Sequence, residues 1–384
     1  MIKEKVSRQI LEECEKYEDW FIKRLQDYVL NETPPHKKKA HLDFFELVKS
    51  DLNGLNYDTE IYPAKYSGGL LLGRIKDDPA ESYQIMLGHA DTVWPESTID
   101  KMPFKKEENI LKGPGIYDMK AGLLMMVTAL KIIKGLGLCT PLSPIIVISS
   151  DEETGSRGSK QNIIRLAKIA ERVFVLEPSL DPDGKLKTRR KGVGHYDIII
   201  RGVSSHAGIE PEKGKSAILE LSYLIQKLHE LNDPEKGITV NVGTINGGIS
   251  TNVVAPESRA SVDIRIMTKK DGKEIHKKIM SLEPDMEGVT FEIEGGIERP
   301  PLVQNKRNLK LWNAAKDIAN EMGFKLKTGI SGGGSDGSYT SLYTATLDGL
   351  GAVGEGAHSP TEKIYLKETI QRIALLAGLL MEES

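Results

Sequence analysis

The sequence predicts an α/β fold: a discontinuous domain on a mixed sheet flanked by helices, interrupted by an inserted α+β domain. Three observations carry this. Up to Leu176, short apolar runs alternate with helical patterns, as strands do in a mostly parallel sheet covered on both faces. Near Asp181-Pro182-Asp183-Gly184 the pattern becomes strand-rich. After Arg299-Pro300-Pro301 the alternation of helix and strand resumes. At 384 residues the chain exceeds what one hydrophobic core supports, so two domains are expected, residues 1–186 with 300–384 and residues 187–299.

Helical patterns precede Pro34-Pro35 and follow it through His41–Leu52, where Leu42, Phe45, Leu47 and Val48 mark an apolar face. Strands follow at Thr59–Ala64, Leu70–Ile75 and Tyr83–Leu87. Asp118–Lys134 is a helix rich in Leu, Met and Ala, Pro144–Ser149 a buried strand, Ser159–Ala170 a helix and Arg172–Leu176 a second buried strand. The insert reads strand (Tyr196–Arg201), helix (Ala217–Leu231), strands (Thr239–Ile245, Val253–Ile266), helix (Lys273–Met280) and strand (Thr290–Glu294). The return reads helix (Leu309–Met322), strand (Thr344–Leu347) and helix (Leu366–Leu380).

Hydrophobic residues are 39% and charged residues 28%, ordinary for a globular protein. A net charge of −3 gives no electrostatic case for nucleic acid, and the basic stretch His36-Lys37-Lys38-Lys39 is short. Met1–Trp20 lacks the apolar run of a signal peptide, and no run of about 18 apolar residues predicts a membrane span. Cys14 and Cys139 form no C-x-x-C motif. A cytoplasmic protein is expected.

Five segments place acids or histidines at strand ends. In Gly88-His89-Ala90-Asp91, His89 and Asp91 share one side by the period of two. A ligating imidazole needs its other N–H held, and a carboxylate does that. In Gly113-Pro114-Gly115-Ile116-Tyr117-Asp118-Met119-Lys120, Asp118 reads either as a helix N-cap or as a ligand. In Asp151-Glu152-Glu153, successive acids repel one another unless a turn is solvated or a cation neutralises them. Glu177 ends an apolar strand, and His358 lies in Glu355-Gly356-Ala357-His358-Ser359-Pro360. In open α/β sheets, sites form beyond the carboxyl ends of the strands. Two histidines and three carboxylates suit zinc.

The order G-H-x-D, G-x-x-D-M-K-A-G, D-E-E-x-G, E-P and G-x-x-H-S resembles the zinc exopeptidases of the aminoacylase, acetylornithine deacetylase and glutamate carboxypeptidase family, most of all the glutamate carboxypeptidase type. The resemblance covers nearly the whole chain. It implies a catalytic domain with an inserted dimerisation or lid domain, a homodimer, and two zinc ions per chain, replaceable by cobalt or manganese. His89 and Glu177 would hold one ion, Glu153 and His358 the other, and Asp118 would bridge, its bond to Met119 being cis. Asp91 would orient His89, and Glu152 would be the general base acting on a bridging water.

In the insert, Ser204-Ser205-His206-Ala207-Gly208 resembles the family's S-H-A-G, whose histidine crosses the dimer to stabilise the oxyanion. Asn252 in T-N-V-V would help bind substrate, Arg265 matches the D-x-R of the lid, and Arg299 matches the arginine that grips the substrate α-carboxylate. Gly332-Gly333-Gly334-Ser335-Asp336 lacks the G-K-[ST] of a phosphate loop. In the family such a loop borders the substrate carboxylate, which assigns Gly333 and Ser335 to binding. The run Thr188-Arg189-Arg190-Lys191-Gly192 reads either as a reader of acidic substrates or as a cover for the domain hinge.

The implied reaction is hydrolysis of an N-acyl amino acid or short peptide with a free α-carboxylate, by a carboxypeptidase or, alternatively, by a deacylase of the acetylornithine or succinyl-diaminopimelate type. A non-enzymatic binding protein of the same fold is the third reading, and the retained Glu152 argues against it.

Overall fold

The computed structural model describes residues 4–180 and 182–383; Asp181, at the predicted change of pattern, lies outside the described residues. The chain divides into two compact units. One holds the chain up to Arg189, Gln304–Ile330 and everything from Ser335; the other holds Arg190–Val303 and Ser331–Gly334.

The first unit is built on a six-stranded mixed sheet. Its order is Tyr57–Tyr62, Leu70–Ile75, Ser143–Ser149, Tyr83–His89, Ala170–Val175, Ala345–Leu347. The last four strands run parallel, while the first two pair antiparallel along one edge. Successive residues in the central strands face opposite cores. Ile85, Leu87, Ile145, Val147, Val173 and Val175 pack on one side. Met86, Ile146, Ile148, Phe174 and Leu176 pack on the other, against the buried helix Ala121–Gly135 and the helix Leu366–Leu380. Both faces are therefore covered, which is why these strands read as unbroken apolar runs.

Register then sets the site. His89 lies level with Ser149, and Leu87 with Val175. The residues just beyond these three adjacent strand ends, Glu152-Glu153 and Glu177, leave the sheet beside His89. A chain that crosses from Tyr83–His89 to Ser143–Ser149 and then back past it to Ala170–Val175 makes a topological switch point, where such folds open a crevice.

A four-stranded antiparallel ribbon, Gly354–Glu355, Lys363–Tyr365, Ile110–Lys112 and Lys105–Glu107, was not predicted. It ties the connection carrying Asp118 to the one carrying His358. The predicted helix start at Asp118 also shifts. Residues 116–120 form a tight turn, and the α-helix begins at Ala121.

The second unit is an antiparallel sheet of order Thr239–Gly247, Glu257–Ile266, Gly192–Arg201, Thr290–Arg299, with the helices Ala217–His229 and Lys269–Met280 over one face. Its other face is polar, carrying Arg201 between Glu257 and Glu292. The last strand runs to Arg299 instead of stopping at Glu294. Gly295 takes φ +123°, where a Cβ would lie 2.1 Å from the His195 carbonyl, so the strand continues through what reads as a glycine break. The helix predicted from Lys273 starts at Lys269 because Thr268 caps it, accepting the Asp271 N–H. Among the described residues no helix is long and apolar enough to cross a membrane.

Candidate active site and its family

In the first unit, the five acids and histidines predicted at strand ends converge. His89 is buried. Its Nε2 lies 3.2 Å from Asp118 Oδ1 and 3.4 Å from Glu177 Oε1. The other Asp118 oxygen lies 3.4 Å from His358 Nε2, which is 3.1 Å from Glu153 Oε1. Asp118 thus turns one oxygen to each histidine. It does not cap the following helix, and its bond to Met119 is cis. His358 adopts φ +60° in the turn Gly356–Ser359, a conformation rare for a residue with a side chain.

Asp91 acts on both sides of the cluster. His89 Nδ1 is 2.9 Å from its backbone carbonyl and 3.6 Å from its carboxylate. That carboxylate accepts the backbone N–H groups of Glu152 (3.2 Å) and Glu153 (2.9 Å). One buried acid therefore fixes the ring of His89 and the turn bearing both glutamates. Donor atoms of His89, Glu152 and Glu177 lie within 4.8 Å of one another, as do those of His89, Asp118 and Glu153.

The electrostatics follow from crowding. Burial alone would lower the His89 pKa, but hydrogen bonds to Asp118, Asp91 and Glu177 hold it well above the usual range. Hydrogen bonds to Asp118 and Glu153 push His358 up to about 10. Burial opposes ionisation of Asp118, yet its contacts with His358 and His89 hold it well below the usual carboxylate range. Burial pushes Glu153 up. The carboxylates bind protons on the histidines tightly, and a divalent cation would take the place of those protons.

Three neighbours had no role assigned from the sequence. Lys187 Nζ lies 3.9 Å from Glu177 Oε2, and both side chains are buried. Lys120 is fully enclosed and donates to the carbonyls of Tyr28 and Asn31; burial lowers its pKa to about 7. Glu362 accepts N–H groups from the loop of Asp118. Its only sequence signal was its place four residues after His358.

The residues predicted in the insert lie in the second unit. His206 is exposed, and its Nδ1 accepts the Gly208 N–H at 3.1 Å. In the neutral ring the proton then sits on Nε2, the nitrogen left to donate. Asn252 is its neighbour, with Ala207 N–H donating to the Asn252 carbonyl at 3.0 Å. The Asn252 side-chain oxygen accepts from Ser250. Arg265 forms an ion pair with Asp263 at 2.8 Å on the polar face of the sheet. Arg299 is buried at the end of its strand, and Gly334 packs so closely on it that a Cβ there would lie 3.0 Å from Arg299 Cδ. Arg190, from the unassigned basic run, holds this loop through the carbonyls of Gly333 (3.3 Å) and Gly334 (2.8 Å). Ser335, in the first unit, is fully buried with its hydroxyl donating to Asp348 at 2.6 Å. Its side chain shapes the loop.

A model of peptidase family M20/M25/M40 matches residues 85–382. Carboxypeptidase G2 of Pseudomonas sp. is 28% identical over 82% of this chain and 77% of its own length. The succinyl-diaminopimelate desuccinylase of Wolinella succinogenes is 25% identical over 90% and 96%. The aminopeptidase PepT of Bacillus cereus shares the fold at a TM-score of 0.78, with 21% identity over 94% of this chain and 98% of that one. With the match reaching into all three segments of the first unit and across the second, the chain belongs to peptidase family M20/M25/M40 and is a metal-dependent peptidase or amidohydrolase.

Proposed function

We propose that this protein hydrolyses the amide bond of an N-acyl or N-aminoacyl amino acid whose α-carboxylate is free, using two zinc ions. The observation that carries this reading is Asp118 turning one oxygen toward each of two histidines, with Glu152 beside the His89–Glu177 pair. The donor set fits: imidazole nitrogens and carboxylate oxygens suit zinc, with cobalt or manganese as substitutes. His89 and Glu177 would hold one ion, Glu153 and His358 the other, and Asp118 both. Such ions acidify water and polarise a carbonyl.

The chain's own groups do the rest. Glu152 accepts the proton of the attacking water and delivers it to the leaving nitrogen. Asp91 fixes both His89 and the turn that aims Glu152. Arg299 reads the substrate carboxylate with its planar fork, and Asn252, Arg265 and the Gly333–Ser335 loop complete the binding surface. Release of a C-terminal amino acid such as glutamate is the leading reading, supported by the likeness to carboxypeptidase G2. N-acyl-amino-acid deacylation is the second, supported by the likeness to the desuccinylase. A cytoplasmic setting fits two unpaired cysteines.

The test compares an N-acyl amino acid with its α-amide. Wild type should strongly prefer the free acid. Arg299→Ala should lose that preference and about tenfold to a hundredfold in kcat/KM on the acid, the worth of a charged hydrogen-bonded contact. Arg299→Lys should be nearly as poor, since Lys has no fork. Equal cleavage of acid and amide by wild type would sink the substrate class.

The active form is a homodimer joined through the second unit. Supporting this, the edge strand Thr239–Gly247 is exposed along most of its length. Beside it Ile218 lies against Gly247 and Gly248, and Ile218, Leu219, Tyr223, Ile245 and Ile249 are all exposed. An unpaired edge with apolar side chains suits a second copy of itself. His206 would then serve the partner's site. Mixing His206→Ala with Glu152→Gln protein should restore activity that neither has alone, because one site of the mixed dimer is intact. A verified mixed dimer without activity would contradict a role in trans.

A further inference from the structure

We propose that Glu362 is a positioning residue for the metal centre, fastening the loop that carries Asp118 to the turn that carries His358. Its carboxylate is almost wholly buried, and both oxygens are engaged. Oε2 accepts from the Gly115 N–H at 2.9 Å and the Trp94 indole N–H at 2.8 Å. Oε1 accepts from the N–H groups of Tyr117 at 2.9 Å and of Asp118 itself at 3.0 Å.

Three of the four donors belong to one short loop, which is already tight. Gly115 sits at φ +68°, and a Cβ there would lie 2.5 Å from the Thr92 side chain. The backbone N–H of Glu362 donates to the Ser359 carbonyl at 3.0 Å, closing the turn after His358. The ribbon brings the two segments side by side, with Lys363 opposite Lys112. A continuous hydrogen-bonded path therefore runs from the His358 turn through Glu362 to the amide of Asp118. Moving that amide would move the carboxylate that faces both histidines.

Only a carboxylate suits this place. Four converging N–H groups demand acceptors, and an anion accepts them best. Glutamine keeps the shape but turns an NH2 group toward two donors. The inference rests on the metal-centre reading, and metal affinity separates the two. Zinc dissociation constants come from competition with a chromophoric chelator, alongside unfolding of the metal-free proteins and the kcat and KM of metal-saturated enzyme. Glu220→Gln is the matched control. Glu220 is a fully buried carboxylate in the second unit that holds a loop through the N–H groups of Asp285 and Met286, both at 2.9 Å.

Glu362→Gln should bind zinc more weakly by on the order of tenfold or more, as loss of ligand support does. Its kcat should fall while KM stays within a few-fold. Glu220→Gln should lose stability and keep its zinc affinity. Wild-type zinc affinity in Glu362→Gln, with a stability loss like that of Glu220→Gln, overturns the inference. Should Glu362→Gln fail to fold, Glu362→Asp keeps the charge and withdraws it by one methylene: weakened zinc binding supports the role, and unchanged binding overturns it. A wild-type protein that binds no metal defeats the proposed function itself.

Discussion

Replacing Glu152 with Gln should lower kcat by roughly 10²–10⁴, the usual worth of a positioned general base, while leaving the metal content unchanged. Gln is nearly isosteric, so the turn 151–155 should hold. The backbone N–H of residue 152 keeps its bond to Asp91. What is lost is the oxygen that accepts a proton. Metal content decides between two roles that geometry brings close, because a Glu152 oxygen also lies within 4.8 Å of a His89 ring nitrogen and a Glu177 oxygen. If Glu152 were a ligand, Glu152→Gln would lose both metal and activity. If it is the base, activity falls and metal stays. Activity within a few-fold of wild type would show that neither role belongs to it. Single-turnover kinetics and metal analysis on the same preparation make the distinction.

The central sheet was legible because its strands are buried on both faces, so Ile145–Ile148 and Val173–Leu176 appear as apolar runs without alternation. The insert was legible from the change of pattern, but its last strand reads as stopping at Glu294 because Gly295-Gly296 imitates a turn, whereas it runs on to Arg299. The ribbon joining residues 105–112 to 354–365 was not legible. Its strands are two or three residues long, and Lys105–Glu107 is charged and exposed throughout, so no periodicity marks it.

The metal-type residues stood out because each follows an apolar strand or a glycine turn. Their supports did not. Glu362 is a lone acid whose four donors come from segments more than 240 residues away. Lys187 stands just before the basic run and carries no motif of its own, and only the fold brings its ammonium to Glu177. Ser335 is assigned to substrate binding by the resemblance, and only the fold shows its hydroxyl buried on Asp348. Sequence patterns report which strand ends a residue occupies, while long-range hydrogen bonds depend on tertiary register.

Asp118→Asn should have the largest effect of all on the metals. Both Asp118 oxygens face histidines, one at 3.2 Å and the other at 3.4 Å. Asparagine keeps one oxygen and replaces the other with an NH2 group, which cannot ligate a cation. It also removes one negative charge that would offset bound cations. A bridge broken on one side weakens both positions, so metal loss and activity loss should occur together. The direct measurement is metal per chain, by elemental analysis of wild-type and Asp118→Asn protein purified without chelator, with turnover of an N-acyl amino acid on the same samples. The account predicts about two equivalents and activity in wild type, and loss of most metal and nearly all turnover in Asp118→Asn, since two-metal sites act as a unit. A wild-type enzyme fully active with a single equivalent, or an Asp118→Asn enzyme that keeps two, would contradict it.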